Sequence, residues 1–182
     1  LFSFHSASDS TPTLKALLQF IKVHFQARTA FPHMNTSDEA MATVSRWLSA
    51  RVPDASFDED GVAALVRDDE TMVIIEVDQG GTICHLYAPV CRPPDHAPEL
   101  TLIAALELNR FGRPLGGCWL AWDADLSMFS LCHNLRIPDN DAQSFSNTLD
   151  NFIASIDIAR SHLSPSTSPS AVSQISSTLQ LA

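Results

Sequence analysis

Residues 71–88 read TMVIIEV, then DQGG, then TICHLYA: two β-branched runs, Thr71–Val77 and Thr82–Ala88, joined by Asp78-Gln79-Gly80-Gly81. Such runs suit a pleated, half-buried surface, and an Asp/Gly cluster supplies the positive φ a tight turn needs, so the stretch reads as a β-hairpin. Upstream, Val62–Arg67 has the same character and adds a strand. Before it, Met41, Val44, Trp47 and Leu48 recur at helical spacing over Ser37–Arg51, with Thr36-Ser37-Asp38-Glu39 as a capping box in front and Pro53 as a stop behind.

Downstream, Arg92–Pro98 is a rigid proline-bearing loop. A second helix follows over Glu99–Phe111, with Leu102, Ala105, Leu106 and Asn109 along one stripe, Ile103 beside it, and Gly112 and Pro114 ending it. Gly116-Gly117 leads into a strand at Cys118–Trp122, Asp123-Ala124-Asp125 turns the chain, and Met128–Leu135 returns it. Pro138–Asp141 caps a last helix running to about Leu163, whose apolar stripe is Phe145, Leu149, Phe152, Ile153 and Ile156. The order α-β-β-β-α-β-β-α lacks βαβ alternation, so the fold class is α+β, an antiparallel sheet packed by helices. No solenoid repeat is present, and the domain must close its own core.

The 182 residues accommodate one such domain with tails. Residues 35–163 form the domain. Residues 164–182, opening Ser164-Pro-Ser-Thr-Ser-Pro-Ser170, form a Ser/Pro-rich tail too polar to bury a core. Residues 1–34 carry Lys15, Lys22 and Arg28 against Asp9, whereas the rest of the chain has no lysine. This break makes Met34 the expected natural start of the domain. The preceding segment is then a mis-assigned start, a fused piece or a genuine extension, and its Leu14, Leu17, Leu18, Ile21 and Phe25 share one helical face.

A net charge of -10 repels phosphate backbones and argues against nucleic-acid binding. No apolar run is long enough to span a bilayer, and Lys15, Lys22 and His24 interrupt the only stretch resembling a leader. Four cysteines without CxxC spacing read as reduced thiols in a cytoplasmic protein. Cys84-His85 and Cys132-His133 lie in strands, where neighbours point to opposite faces, so neither pair converges on a metal or forms a catalytic couple. Asp123, Asp125, Asp139 and Asp141 sit at turns and helix starts, and Gly112–Gly117 lacks phosphate-loop spacing. No catalytic residue, metal ligand or cofactor is therefore assigned.

What stands out is an apolar excess. Leu100, Leu102, Ile103, Leu106, Leu108, Trp119, Leu120 and Trp122 crowd the second helix and fourth strand. Either a deep core or an isologous homodimer seam accounts for them.

The body resembles a class I type III secretion chaperone of the CesT-like (Tir chaperone) family over roughly Thr36–Leu163. The likeness rests on the element order in a small acidic chain. It rests also on Leu106-Glu-Leu-Asn109, Gly116-Gly-Cys-Trp-Leu120, Asp123, Leu131, Leu135 and the Phe145/Leu149/Phe152 helix. The resemblance implies a bacterial cytosolic homodimer that uses no ATP. It would bind the non-globular N-terminal region of a secreted effector, keep it secretion-competent and help deliver it to the export apparatus, with the apparatus ATPase as a further partner. By the same resemblance the dimer seam comprises Leu102, Ala105, Leu106, Asn109, Trp119, Leu120 and Trp122. The effector contacts would be Met41, Val44, Trp47 and Leu48 with Met72, Ile74 and Leu86 on the sheet. If residues 1–33 belong to an effector or mimic one, their apolar helix face would occupy a client groove. A regulatory or adaptor domain of the same fold without a client is the alternative, and a small enzyme using a sheet Cys or His is the third reading.

Overall fold

The computed structural model describes residues 4–6 and 36–164, except 59, 68, 70, 97 and 111–113. In chain order the elements are β1 (Phe4–Ser6), α1 (Thr36–Arg51), β2 (Val62–Arg67), β3 (Met72–Val77), β4 (Ile83–Cys91), α2 (Pro98–Asn109), β5 (Trp119–Asp123), β6 (Met128–Arg136) and α3 (Ala142–Leu163). A single antiparallel sheet has the order β1-β2-β3-β4-β6-β5. The α+β order expected from the sequence is present, with β1 added at the edge. Three residues are too few to carry a periodic signal, so nothing in the pattern announced that strand. The helical stripe at Leu14–Phe25 and the tail beyond 164 lie outside the described residues.

The hairpin turn between β3 and β4 closes as its residues demand. Asp78 Oδ1 accepts from the amides of Thr82 and Ile83, both at 2.7 Å, and Gly81 takes a φ of 64°. β4 continues past Ala88 through Pro89 to Cys91, longer than its pattern suggested. Pro89 has no N–H for the ladder, so the register against β6 shifts there as a bulge. Arg160 of α3 donates to the Pro89 carbonyl at 3.3 Å.

Alternation sends Val73, Ile75 and Val77 of β3, and Cys84, Leu86 and Ala88 of β4, to the face covered by α1 and α3. There they meet Val44 and Leu48 of α1 and Phe145, Leu149, Phe152, Ile153 and Ile156 of α3, all buried. The Trp47 and Phe145 rings, 5.8 Å apart, join the two helices. α3 begins with a reciprocal capping box: Asp141 Oδ1 accepts the Ser144 amide and Ser144 Oγ accepts the Asp141 amide, each at 2.8 Å. On the other sheet face Met72, Ile74 and Leu126 form a smaller buried cluster flanked by Val62, Tyr87 and Met128.

A charged cluster pins the β2–β3 hairpin to α3. Arg67 donates to both carboxylate oxygens of Asp69 (2.8 and 2.6 Å) and of Asp157 (2.9 and 2.7 Å). These charge-assisted bonds hold the Asp69 carboxyl well below, and the Arg67 guanidinium above, their ordinary ranges.

Candidate functional site: an apolar edge on α2 and β5

Helix α2 spells PELTLIAALELN. Pro98 suits a first helical position, where its missing N–H costs nothing. Apolar residues then occupy every face, a pattern that belongs to a helix covered all round. In this chain α2 packs beside β5 and α3 through Thr101, Ala105 and Leu108, at i, i+4 and i+7. Leu100, Leu102, Ile103 and Leu106 face outward, Leu106 with 61% of its surface exposed. The expected stripe is thus divided: Ala105 belongs to the core, while Leu102 and Leu106 belong to the surface.

β5 is positioned by the turn before it. Gly116 and Gly117 take φ values of 58° and 89°, a region that a β-carbon disfavours. Leu115 is buried, and its carbonyl accepts from Ser155 Oγ of α3 at 3.1 Å. Asn109, at the end of α2, clamps the strand: its Nδ2 donates to the Leu120 carbonyl at 3.0 Å and its Oδ1 accepts the Leu120 amide at 2.7 Å. Asn109 therefore satisfies the outward backbone of Leu120 on the edge of β5 from within the domain. Leu120 is buried in the core, whereas Trp119 and Trp122 are exposed on opposite faces of the strand. Trp122 stacks edge-on against Phe129, ring centroids 5.2 Å apart, and still leaves 51% of its surface open.

Seven large apolar side chains are exposed among the described residues, and six of them lie on α2 and β5; Ile158 of α3 is the other. Concentration on two neighbouring elements distinguishes them from the scattered apolar residues of an ordinary surface. Leu100 and Ile103 belong to the apolar excess seen in the sequence but not to the seam that the resemblance implies, although their exposure matches that of Leu102 and Leu106. The signal that points to them is the all-round hydrophobicity of α2.

The residues expected to contact a client do not form one patch. Val44, Leu48 and Leu86 are buried together in the main core, while Met72 and Ile74 are buried on the opposite sheet face. Only Met41 and Trp47 of that set are partly exposed. Beside Met72 and Ile74 lies Glu76, across the ladder from Val62 and His85. Burial, then the charges of Asp58 and Asp78, push its carboxyl up to about 7, and its Oε2 is buried without a hydrogen bond.

The two Cys-His dipeptides separate as strand geometry requires. His85 pairs with Asn134 at 2.8 Å while Cys84 is buried on the other face. His133 approaches Cys118, not Cys132, with Nδ1 3.9 Å from Sγ. Burial pushes the Cys118 and Cys132 thiols up to about 11 and lowers His133, the reverse of a thiolate–imidazolium couple. Among the described residues no three His, Cys, Asp or Glu side chains converge on a metal position, and no helix is long and apolar enough to cross a membrane.

No curated protein sequence matches the chain. Several solved structures share its fold. The "HopA1-SchA Chaperone-Effector Complex" contains a chain similar at 13% identity and a TM-score of 0.57, over 71% of this chain and 99% of that one. The "ExsC-ExsE Complex" contains another at 18% identity and a TM-score of 0.57, over 74% and 100% respectively. A third, at 16% identity and a TM-score of 0.51 over 67% and 95%, comes from the heterodimeric ExoU-SpcU complex of the Pseudomonas aeruginosa type III secretion system. The family model of the Tir chaperone protein (CesT) family matches residues 48–160, which take in most of α3, all of α2 and β2–β6, and the end of α1. With more than half its length matched, the chain belongs to the Tir chaperone protein (CesT) family.

Proposed function

We propose that this protein is a type III secretion chaperone of the bacterial cytosol, working as a homodimer. In this reading it binds the non-globular N-terminal region of one or more secreted effectors, keeps them secretion-competent and aids their delivery to the export apparatus, where the secretion ATPase is a further partner. Membership of a chaperone family, with likeness to a chain from a chaperone–effector complex and to one from a type III secretion complex, supports an effector as client. The observation that carries the dimer is the exposed apolar face of α2 with Trp119 and Trp122 of β5. An isologous seam built on Leu102, Leu106, Trp119 and Trp122 covers this edge of the domain, with the two tryptophans on either face of β5, by a second copy of the chain. Ala105, Leu120 and Asn109 support the seam from behind, two as core and one as a clamp.

The client side rests on Met41 and Trp47, the partly exposed members of the α1 set. Val44, Leu48, Leu86, Met72 and Ile74 would become contacts only by shaping the surface above them. Ordering an extended chain is costly, so a client must bind over a wide area to offset the entropy it loses. The decisive test is co-expression with the product of a neighbouring effector gene, followed by limited proteolysis and native mass measurement. The proposal expects two chaperone copies with the effector's N-terminal region protected. Protection of a globular domain alone, or no complex, overturns it.

A further inference from the structure

The sheet's two edges are closed by different means. On β5, Asn109 satisfies the outward amide and carbonyl of Leu120 from inside the domain. On β2, the Arg67 amide bonds the Thr71 carbonyl toward β3, so antiparallel alternation turns the backbone groups of Val62, Ala64 and Val66 outward. Val62 is met locally: the Asp58 amide donates to its carbonyl at 3.0 Å, and Asp58 Oδ1 accepts its amide at 2.9 Å. Val66 is met by β1, whose central residue His5 lies directly opposite it. β1 has three residues, and residues 7–35 of the sequence separate it from α1.

So short a strand offers its edge a single residue, His5, in register with an outward pair. It competes for that place because it is part of the same chain, which makes pairing an intramolecular closure and not a bimolecular encounter. A longer extended segment from another protein can pair with more of the edge and add side-chain contacts, which is how strand addition gains affinity. Meanwhile a covered edge is protected from pairing with the wrong chain.

We propose that β1 is a built-in placeholder: the chain's own N-terminal strand caps the Val62–Arg67 edge and leaves when an extended segment of a client adds there. This rests on the client-binding reading above, yet the self-pairing is testable without a client. The probe is a fluorescent peptide of residues 1–10, titrated into the full-length protein and into full-length His5→Pro, whose added proline cannot donate to the ladder. If the edge is self-occupied about ten to one, the peptide binds the variant about tenfold more tightly than the wild type. The Val66 amide of the variant without peptide then exchanges with solvent about tenfold faster than in the wild type. Equal affinity for both proteins, no binding to the variant, or an unchanged Val66 exchange rate overturns the proposal. Should His5→Pro fold poorly, Phe4→Gly, His5→Gly and Ser6→Gly combined weaken β1 without touching β2 and face the same criteria. Peptide binding without any effector complex removes the chaperone reading alone; an effector complex without peptide discrimination removes the placeholder alone.

Discussion

Leu106→Asp separates the apolar edge from the core on which it sits. Leu106 is 61% exposed in the single chain, so the substitution removes little internal packing and costs folding under about 1 kcal/mol, mostly helix propensity and an acid near a helix C-terminus. In a seam the arithmetic differs. Burying a whole leucine stabilises by about 1.5–3 kcal/mol, and the exposed 61% corresponds to roughly 1–2 kcal/mol per copy. An isologous interface counts each residue twice, giving about 2–4 kcal/mol, and desolvating two unpaired carboxylates adds several more. The dimer dissociation constant should therefore rise at least about a thousandfold. Sedimentation velocity across a micromolar concentration series reads this directly, with far-UV circular dichroism reporting the fold. The expected result is a folded monomer. A variant that sediments as the wild type does, or that unfolds outright, refutes the reasoning. Leu120→Asp supplies the contrast: its side chain is only 6% exposed and belongs to the core, so it should unfold or aggregate and not yield a soluble monomer.

Asn109→Ala removes both bonds to Leu120 and should lower stability by about 1–3 kcal/mol in chemical denaturation at fixed protein concentration; a loss below about 0.5 kcal/mol would show that the clamp is idle. Glu76 titrates higher folded than unfolded, so the stability it confers is fully present below about pH 4.5 and is lost as pH rises through about 7. Glu76→Gln should consequently match the wild type near pH 4 and exceed it by about 1–2 kcal/mol at pH 8, allowing for partial solvent screening; equal stability at pH 8 contradicts that assignment. Asp69 works in the opposite sense: Arg67 holds its carboxyl low, so the stability this pair confers is present above about pH 3.8 and lost as pH falls below it; Arg67→Met should therefore cost more stability at pH 7 than at pH 2, and a pH-independent cost would count against the ion pair. The Cys118 and Cys132 thiols, both pushed up to about 11, should react slowly with a disulfide reagent at pH 7.5 until the protein is denatured; rapid labelling of either in the native state would oppose the raised values.

Much of this architecture is written in local chemistry. The 71–88 hairpin follows from β-branched runs around Asp78 and Gly81, and α3 follows from Asp141 and a sustained apolar stripe. What the pattern obscures is which face an element buries. β3 is apolar at nearly every position because both sheet faces are covered there, so Ile74 and Ile75 look alike in sequence yet belong to different clusters. α2 poses the same difficulty, since its apolar residues surround the axis and only its seat against β5 and α3 distinguishes Ala105 from Leu106. The role of Asn109 was equally hidden: its partners are backbone groups eleven residues away, which residue identity does not encode. The client surface was least legible, because Val44 and Leu48 share the periodicity of a binding stripe with that of an ordinary core.

The measurement bearing most directly on the central claim is the absolute mass of the purified full-length chain by light scattering at micromolar concentration. If the α2–β5 edge is closed by a second copy, the mass is twice the 19.9 kDa of one chain. A mass of one chain at that concentration, with Trp119 and Trp122 still open to a soluble fluorescence quencher, would contradict it.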